Sequence, residues 1–349
     1  MAKKLSRREF LKLAGLSLGS LAFRPFTDGL SLEKSEGIIG LARVTIKEID
    51  IFAEPSAESA VIDVAYRDQL LPFYEELNPV YPEFANSPRW YRLDRGFAAS
   101  SYTQRVDGRS LHRPVYYFPE GGQIGEIGVP YTRSYRYTKN YGWQPLYMLY
   151  YQSVHWIMDV DEGPDKRPWY KLLDELLHIE YFVPATHMRV IPPAELAPIS
   201  PDVPWEAKRI EVNLLKQQLT AYEGDKVVLH TLVSTGIPGM NLSGQTPTAT
   251  PKGKFNIGVK MPSKHMGDGH LTADIFAYEL PGVPWNSFFH ETGVAFHGTY
   301  WHHNYGRKMS HGCINMTPEE AKWLYRWSFP EAPAEVWEQR GFGTVVRVG

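Results

Sequence analysis

Residues 297–315 hold most of the side chains in this sequence that can do covalent chemistry. The segment reads His-Gly-Thr-Tyr-Trp-His-His-Asn-Tyr-Gly-Arg-Lys-Met-Ser-His-Gly-Cys-Ile-Asn. It contains the chain's only cysteine, Cys313, and four of its 12 histidines. A thiol attacks as the thiolate, and a free cysteine has a pKa of about 8.5, so a base or a cation must lie close. His311 lies two residues before Cys313, and in an extended segment both side chains project from the same face. This spacing predicts a cysteine nucleophile activated by a histidine.

A second histidine competes for the role of base. His297 precedes Cys313 by sixteen residues and is predicted to lie on a neighbouring strand. Proximity favours His311, and the choice between the two stays open. Gly312 lets the backbone approach a substrate closely, and the N–H groups of Gly312 and Cys313 are candidates for stabilising an oxyanion.

Two other interpretations of the same residues compete with a nucleophilic cysteine. A zinc hydrolase would use His297, either His302 or His303, and His311, since metal sites often cluster histidines. However, the sequence lacks an HExxH motif, and the adjacent His302 and His303 would point apart in a strand. They are instead predicted to lie on the surface or in a lid. A purely structural role for Cys313 and His311 in the core is disfavoured, because a Ser and a Gly flank them.

The elements that position this segment are predicted to be mostly strands. Arg209–Leu214 alternates like a strand, and residues 217–222 and 226–233 predict two more strands joined by a tight turn at Glu223-Gly224-Asp225. The only convincing helix covers residues 318–329, with Thr317 as N-cap and Pro318 in the first helical position. The predicted fold class is therefore mainly β.

The N-terminus has the features of an export signal. Six basic residues and one glutamate occupy the first 24 positions, and a short apolar run from Leu13 to Phe23 follows the paired arginines. The segment Ser6-Arg7-Arg8-Glu9-Phe10-Leu11-Lys12 resembles a twin-arginine signal, which implies export to the cell wall, the periplasm or the exterior. Cleavage of the signal stays open, and with it membrane anchoring.

The chain as a whole has a net charge of −2 and lacks the basic stripe of a nucleic-acid binder. Its single cysteine excludes an internal disulfide.

The middle of the chain contains a weak repeat. Trp90-Tyr91-Arg92-Leu93 and Trp169-Tyr170-Lys171-Leu172 each precede an aromatic strand, and the first unit resembles a bacterial SH3-like barrel. We therefore predict a signal and linker at 1–40, an SH3-like β-barrel at 41–107, a second, diverged SH3-like module at 108–195, and a catalytic domain at 207–349. Whether the two modules bind cell-wall polymer stays open.

The C-terminal residues closely resemble the YkuD-type L,D-transpeptidase catalytic domain. Three segments match in order: the strand at Asn213-Leu214 leading to Val233-Ser234-Thr235-Gly236, the turn Thr250-Pro251-Lys252-Gly253-Lys254-Phe255, and the His-Gly…Ser-His-Gly-Cys-Ile-Asn signature. The resemblance implies a β-sandwich or barrel-like domain that forms an acyl-enzyme on peptidoglycan stem peptides and passes it to an amine, with no cofactor and no metal. A wall-binding protein without catalysis is the alternative, although every signature position is filled.

The same resemblance implies roles for individual residues. Cys313 is the nucleophile, with His311 or His297 as its base, and the Ser310 carbonyl orients the His311 ring. Substrate contacts are predicted for Gly298, Thr299, Tyr300 and Asn315, the last replacing an arginine found in many members. The acceptor and the oligomeric state are not specified by the sequence.

Overall fold

The computed structural model describes residues 37–77, 89–106, 110–239, 248–269 and 279–349. The predicted signal and linker at 1–40 lie outside the described residues, except for residues 37–40. Strands dominate the described chain, which confirms the predicted mainly β fold class. No helix within the described ranges is both long and apolar enough to cross a lipid bilayer.

The first region forms two small sheets around one core. Its strands are β1 (Gly40–Val44), β2 (Glu48–Phe52), β3 (Val61–Tyr66), β4 (Leu70–Phe73), β5 (Glu75–Leu77), β6 (Trp90–Arg92), β7 (Phe97–Ala99) and β8 (Thr103–Arg105). One sheet has the order β4-β1-β8 and the other β3-β2-β7-β6-β5. Val44, Ile51, Phe73 and Tyr91 fill the space between them, so the Trp-Tyr unit supplies core. The resemblance to an SH3-like barrel stays a prediction, as do the domain boundaries.

The second region is a single seven-stranded sheet. Its strands are β9 (Gln123–Ile127), β10 (Tyr131–Thr138), β11 (Gly142–Tyr150), β12 (Val154–Glu162), β13 (Pro168–Leu173), β14 (Glu180–Pro184) and β15 (Met188–Val190), in the spatial order β11-β10-β14-β13-β12-β9-β15. Short 3₁₀ helices lie at Ser100–Tyr102, Ala185–His187, Pro193–Leu196 and Trp205–Ala207. Trp156 on β12 stacks on Trp337 at 4.4 Å, so this sheet shares a core with the third region.

The third region contains two five-stranded sheets. Its strands are β16 (Lys208–Asn213), β17 (Gln218–Glu223), β18 (Lys226–Leu232), β19 (Gly253–Asn256), β20 (Val259–Met266), β21 (Leu280–Phe288), β22 (Ala295–Gly298), β23 (Ile314–Met316), β24 (Gln339–Arg340) and β25 (Val345–Val348). The sheet orders are β18-β17-β16-β25-β19 and β23-β22-β21-β20-β24. Residues from both sheets join one hydrophobic core, including Ile210, Val346, Phe296 and Ile314.

The helix α1 (Pro318–Trp327) follows β23 directly and begins as predicted. Thr317 accepts a hydrogen bond from the Glu320 backbone N–H, and Pro318 occupies the first turn. Leu324 and Trp327 are buried against the core. The helix ends two residues earlier than predicted, because Phe329 precedes Pro330 and that position disfavours helical backbone.

A buried ionic cluster joins the second and third regions. His265 on β20 lies between Asp174, at 2.7 Å from Nδ1, and Glu279, at 3.2 Å from Nε2. All three side chains are at most 4% exposed. Burial alone would lower the pKa of His265, but hydrogen bonds and charges from the two carboxylates outweigh burial and raise it. The cluster therefore holds an imidazolium between two carboxylates at the junction.

Candidate active site

Two parallel strands present the candidate catalytic residues. β22 and β23 pair in parallel, with His297 opposite Asn315 and Phe296 opposite Ile314. Phe296 and Ile314 belong to the hydrophobic core, so His297 and Asn315 project from the other face by strand alternation. Cys313 directly precedes β23, two positions before Asn315. We call this second face of β22 and β23 the site face.

Cys313 lies at the end of a tightly bonded loop. Its side chain is 7% exposed, and Sγ lies 3.8 Å from the Gly293 carbonyl oxygen. The Ser310 hydroxyl donates to the Cys313 carbonyl at 2.5 Å, and Gly312 has a φ of +119°, which favours glycine. From outside the loop, Thr250 Oγ1 donates to the Gly312 carbonyl at 2.7 Å. The backbone before the thiol is thus held at several points.

His297 has the geometry of an oriented neutral base. Its side chain is 1% exposed, and Nδ1 lies 2.9 Å from the Gly298 carbonyl oxygen. A carbonyl only accepts, so Nδ1 carries the proton and Nε2 is left as an acceptor. Burial lowers the pKa of His297 to about 4, with the bond to Gly298 opposing this partly. His297 is therefore uncharged at neutral pH.

The loop residues differ in part from their predicted roles. His311 has an exposed side chain, unlike His297. The Ser310 carbonyl, predicted to orient His311, accepts from the Ile237 N–H at 2.9 Å. The Gly312 N–H, predicted as an oxyanion donor, donates to the Ser310 hydroxyl at 3.2 Å. The Gly312 N–H thus has a partner in the Ser310 hydroxyl and the Ser310 carbonyl has one in Ile237, and the roles predicted for both groups stay predictions.

The predicted substrate contacts also divide into two groups. Asn315 lies on the site face, and its Oδ1 is buried without a hydrogen-bond partner among the described residues. Thr299 and Tyr300 are each 2% exposed, and their hydroxyls bond to the Tyr305 hydroxyl at 2.7 Å and to the Pro281 carbonyl at 2.9 Å. These two residues therefore shape the site from inside the protein.

Gly298 has a packing role at the end of β22. A Cβ on this residue would lie 2.8 Å from the Pro318 Cα and 2.9 Å from the Pro284 Cγ. Only glycine therefore fits between β22 and the start of α1.

The segment after β22 covers the site face, and the position of one of its residues differs from the prediction. His302 is 2% exposed, so its predicted surface position is wrong. Its Nε2 lies 2.9 Å from the Asn315 side-chain amide nitrogen. The Trp301 ring lies 5.8 Å from the His297 ring, centre to centre. The position of His302 within the signature segment was the one feature of the sequence that could have indicated its contact with Asn315.

The first region donates hydrogen bonds to the segment that covers the site face. The buried Arg43 on β1 donates to the Tyr300 carbonyl at 2.9 Å, and Thr45 donates to the Trp301 carbonyl at 2.8 Å. The Arg43 guanidinium also lies 3.9 Å from the centre of the Tyr150 ring on β11. No sequence motif pointed to these residues, which connect all three regions next to the site.

The described residues offer little to a metal ion. Across residues 37–77, 89–106, 110–239, 248–269 and 279–349, no three His, Cys, Asp or Glu side chains are grouped as metal ligands. His297 and His302 are each within hydrogen-bonding distance of a protein partner, as described above. The histidines of the zinc hypothesis therefore form no three-ligand group in the part of the chain that the structure describes.

Comparison with known proteins agrees with this geometry. The family model of the L,D-transpeptidase catalytic domain (YkuD) matches residues 207–336. A putative L,D-transpeptidase, YciB, of Bacillus subtilis is 26% identical over 141 residues, which are 38% of this chain and 66% of that protein. The chain thus spans slightly under two thirds of this curated relative.

Solved structures match a similar share of the chain. An L,D-transpeptidase from Mycobacterium smegmatis is 22% identical, with a TM-score of 0.32, and the match covers 41% of this chain and 58% of that one. The catalytic domain of an Enterococcus faecium L,D-transpeptidase is 28% identical, with a TM-score of 0.28, covering 41% and 96%.

Proposed function

We propose that this protein, whose residues 207–336 form an L,D-transpeptidase catalytic domain, is a cysteine acyltransferase acting on peptidoglycan stem peptides. The observation that carries the proposal is the pairing of β22 with β23. Cys313 directly precedes β23, and strand alternation from Asn315 would direct its thiol to the face that carries the buried, neutral and carbonyl-oriented His297, which supports the proposal. This combination of nucleophile, base and orienting group is what acyl transfer by a thiol requires.

In the first half-reaction, Cys313 Sγ attacks the carbonyl of the third, diamino residue of a donor stem while His297 Nε2 takes the thiol proton. The tetrahedral intermediate collapses, the bond to the terminal D-alanine breaks, and His297 returns the proton to the leaving amine. A thioester on Cys313 remains. Asn315 Oδ1, which has no partner among the described residues, accepts a hydrogen bond from a substrate N–H.

In the second half-reaction, an amine of another stem attacks the thioester. His297 removes a proton from the attacking amine, the C–S bond breaks, and the thiol of Cys313 is restored. The product is a new amide, which in peptidoglycan is a 3→3 crosslink. His297 is preferred over His311 as the base, because the ring of His297 is fixed by the Gly298 carbonyl.

Intact-protein mass spectrometry with a tetrapeptide donor tests the nucleophile. The parent is expected to gain the mass of the donor minus D-alanine, whereas Cys313→Ala gains nothing. Alanine removes little volume, so an unchanged circular dichroism spectrum is the folding control. An adduct that persists in Cys313→Ala refutes the assignment, because the chain has no other thiol.

We further propose that the protein reaches the wall by the twin-arginine route. The support is the motif at residues 6–12, with its arginine pair followed by Phe10-Leu11-Lys12. Replacing Arg7 and Arg8 with lysine keeps the charge and is expected to block export, which immunoblotting of cell fractions would measure. Normal accumulation of the Lys-Lys variant outside the cytoplasm would contradict this route.

A further inference from the structure

The burial of His297 involves a segment that lies outside the two strands of the site. Residues 299–305, here called the cover, follow β22 and lie over the site face. Within the cover, the ring of Trp301 lies 5.8 Å from the ring of His297, centre to centre. Trp301 is itself buried. The cover therefore separates the His297 ring from solvent.

The backbone of the cover is bonded to the first region at two successive carbonyls. The Tyr300 carbonyl accepts from the Arg43 guanidinium at 2.9 Å, and the Trp301 carbonyl accepts from the Thr45 hydroxyl at 2.8 Å. Both donors are buried. A buried carbonyl that loses its donor is costly, so loss of either bond favours arrangements in which the cover moves towards water.

Arg43 is fixed by several other contacts. Asp68 accepts from its guanidinium at 2.9 Å, and the side-chain oxygen of Gln104 accepts from it at 3.1 and 2.9 Å. The ring of Tyr150 lies 3.9 Å from the guanidinium carbon, and its centre is 5.8 Å from that of the Tyr300 ring. A donor fixed in this way positions the carbonyl that it bonds, whereas a mobile side chain would follow the carbonyl.

The strands beside His297 carry no charge. β21 and β23, which flank β22, contain only uncharged residues, and α1 packs on the opposite, core face of β22. The titratable groups of the flanking segments are Cys313, directly before β23, and His302 and His303 in the cover. Burial lowers the pKa of His302 to about 3 and that of His303 to about 4. Neither histidine is therefore charged near neutral pH.

Burial is accordingly the main control on the protonation of His297. It lowers the pKa of this histidine to about 4, and the hydrogen bond to the Gly298 carbonyl opposes it partly. Burial disfavours the charged ring, so water beside the ring would raise the pKa towards the ordinary value of about 6.5. The position of the cover thus determines the pH range over which His297 is available as a base.

We propose that Arg43 and Thr45 are positioning residues for acyl transfer, which hold the cover over His297 and keep water from its ring. They act through the Tyr300 and Trp301 carbonyls rather than on the reacting atoms. Two hydrogen bonds thus make the first region part of the catalytic apparatus of the third. Their effect on acylation rests on the proposed function, whereas the shielding of His297 is measured without turnover.

NMR titration of the His297 ring in the full chain tests the shielding, with His297→Gln used to assign the signal. The parent is expected to titrate with a pKa of about 4. Thr45→Val removes the hydroxyl but keeps the branched shape, and is expected to raise the pKa of His297 by about one unit or more. Thr45→Ser keeps the hydroxyl and is expected to titrate like the parent.

Single-turnover acylation of Cys313 by a tetrapeptide donor tests the consequence. In Thr45→Val the acidic limb should move up with the pKa of His297, and a shift of one unit lowers the rate at pH 5 about twofold relative to the rate at pH 8. Arg43→Lys keeps the charge but loses the planar fork, and should move the limb in the same direction. Thr132→Val removes a buried hydroxyl contact to His187 in the second region, and as the matched control should change neither curve.

The role of Thr45 is decided even if the parent forms no acyl-enzyme. That result would contradict the proposed function, but the titration of His297 would still report the shielding. A folded Thr45→Val variant, with the circular dichroism spectrum of the parent, in which His297 titrates like the parent would overturn the inference. An equal shift in Thr132→Val, or a Thr45→Ser variant that behaves like Thr45→Val, would overturn it as well.

Discussion

The pKa of His297 makes the identity of the base testable through the pH dependence of acylation. A base works only while unprotonated, so its activity is lost as pH falls through its pKa. Burial lowers the pKa of His297 to about 4. At pH 5.5 a base with that pKa is about 97% neutral, whereas one with the ordinary value of 6.5 is only about 9% neutral. Acylation through His297 should therefore keep nearly all of its neutral-pH rate at pH 5.5, whereas acylation through an unperturbed histidine should keep only about a tenth of its own.

The assay is single-turnover acylation of Cys313 by a tetrapeptide donor between pH 3.5 and 8, followed by intact mass. The parent should keep a nearly constant rate down to about pH 5. His297→Gln should lower the rate by about 10² to 10⁴, the usual contribution of a general base. His311→Gln is the matched control and should leave the acidic limb where it is. An acidic limb that moves or disappears in His311→Gln would assign the base to His311 and refute the reasoning.

Two further substitutions test the contribution of buried polar contacts. Asp174→Asn should cost about 3–5 kcal/mol in urea unfolding, because it breaks a buried ion pair at His265. The folded pKa of His265 is raised, so the pair's stabilisation is present below pH 6.5 and is lost as pH rises through that raised pKa. The variant should show a smaller loss, because Glu279 remains as the second carboxylate beside His265. Thr250→Val leaves the Gly312 carbonyl without its donor, so acylation should slow about tenfold or more while the melting temperature falls only modestly. An unchanged acylation rate in Thr250→Val would contradict a positioning role for this contact.

Local sequence patterns predicted the elements of the site well. The start of α1 followed from Thr317 and Pro318, whose capping physics depends only on neighbouring residues. The placement of His297 on a strand next to Cys313 was also predictable, and β22 pairs with β23 accordingly.

The preference for His311 rested on an assumption about local conformation. Two-residue alternation requires an extended chain, but the segment bends at Gly312, where φ is +119°, and the Ser310 hydroxyl closes onto the Cys313 carbonyl. A bend that is closed by a serine hydroxyl produces no periodic pattern of residue types in the sequence. Spacing along the chain therefore does not by itself decide between His311 and His297 as the base.

Contacts between distant regions could not be predicted from the sequence. The burial of His302 depends on packing against Asn315, and the positions of Arg43 and Thr45 depend on the docking of separate sheets. Each such contact is decided by the arrangement of whole regions, which single-residue propensities do not encode.

The hydrogen bond from Arg43 to the Tyr300 carbonyl joins residues 257 positions apart in the chain. Contacts of such long sequence separation form slowly, because the loop they close must first lose its conformational freedom. The cover over the site face therefore becomes complete only after the first and third regions have each formed. During synthesis on the ribosome, the chain carries an uncovered Cys313 until that docking step, so catalytic competence should appear later than the folding of β22 and β23 themselves.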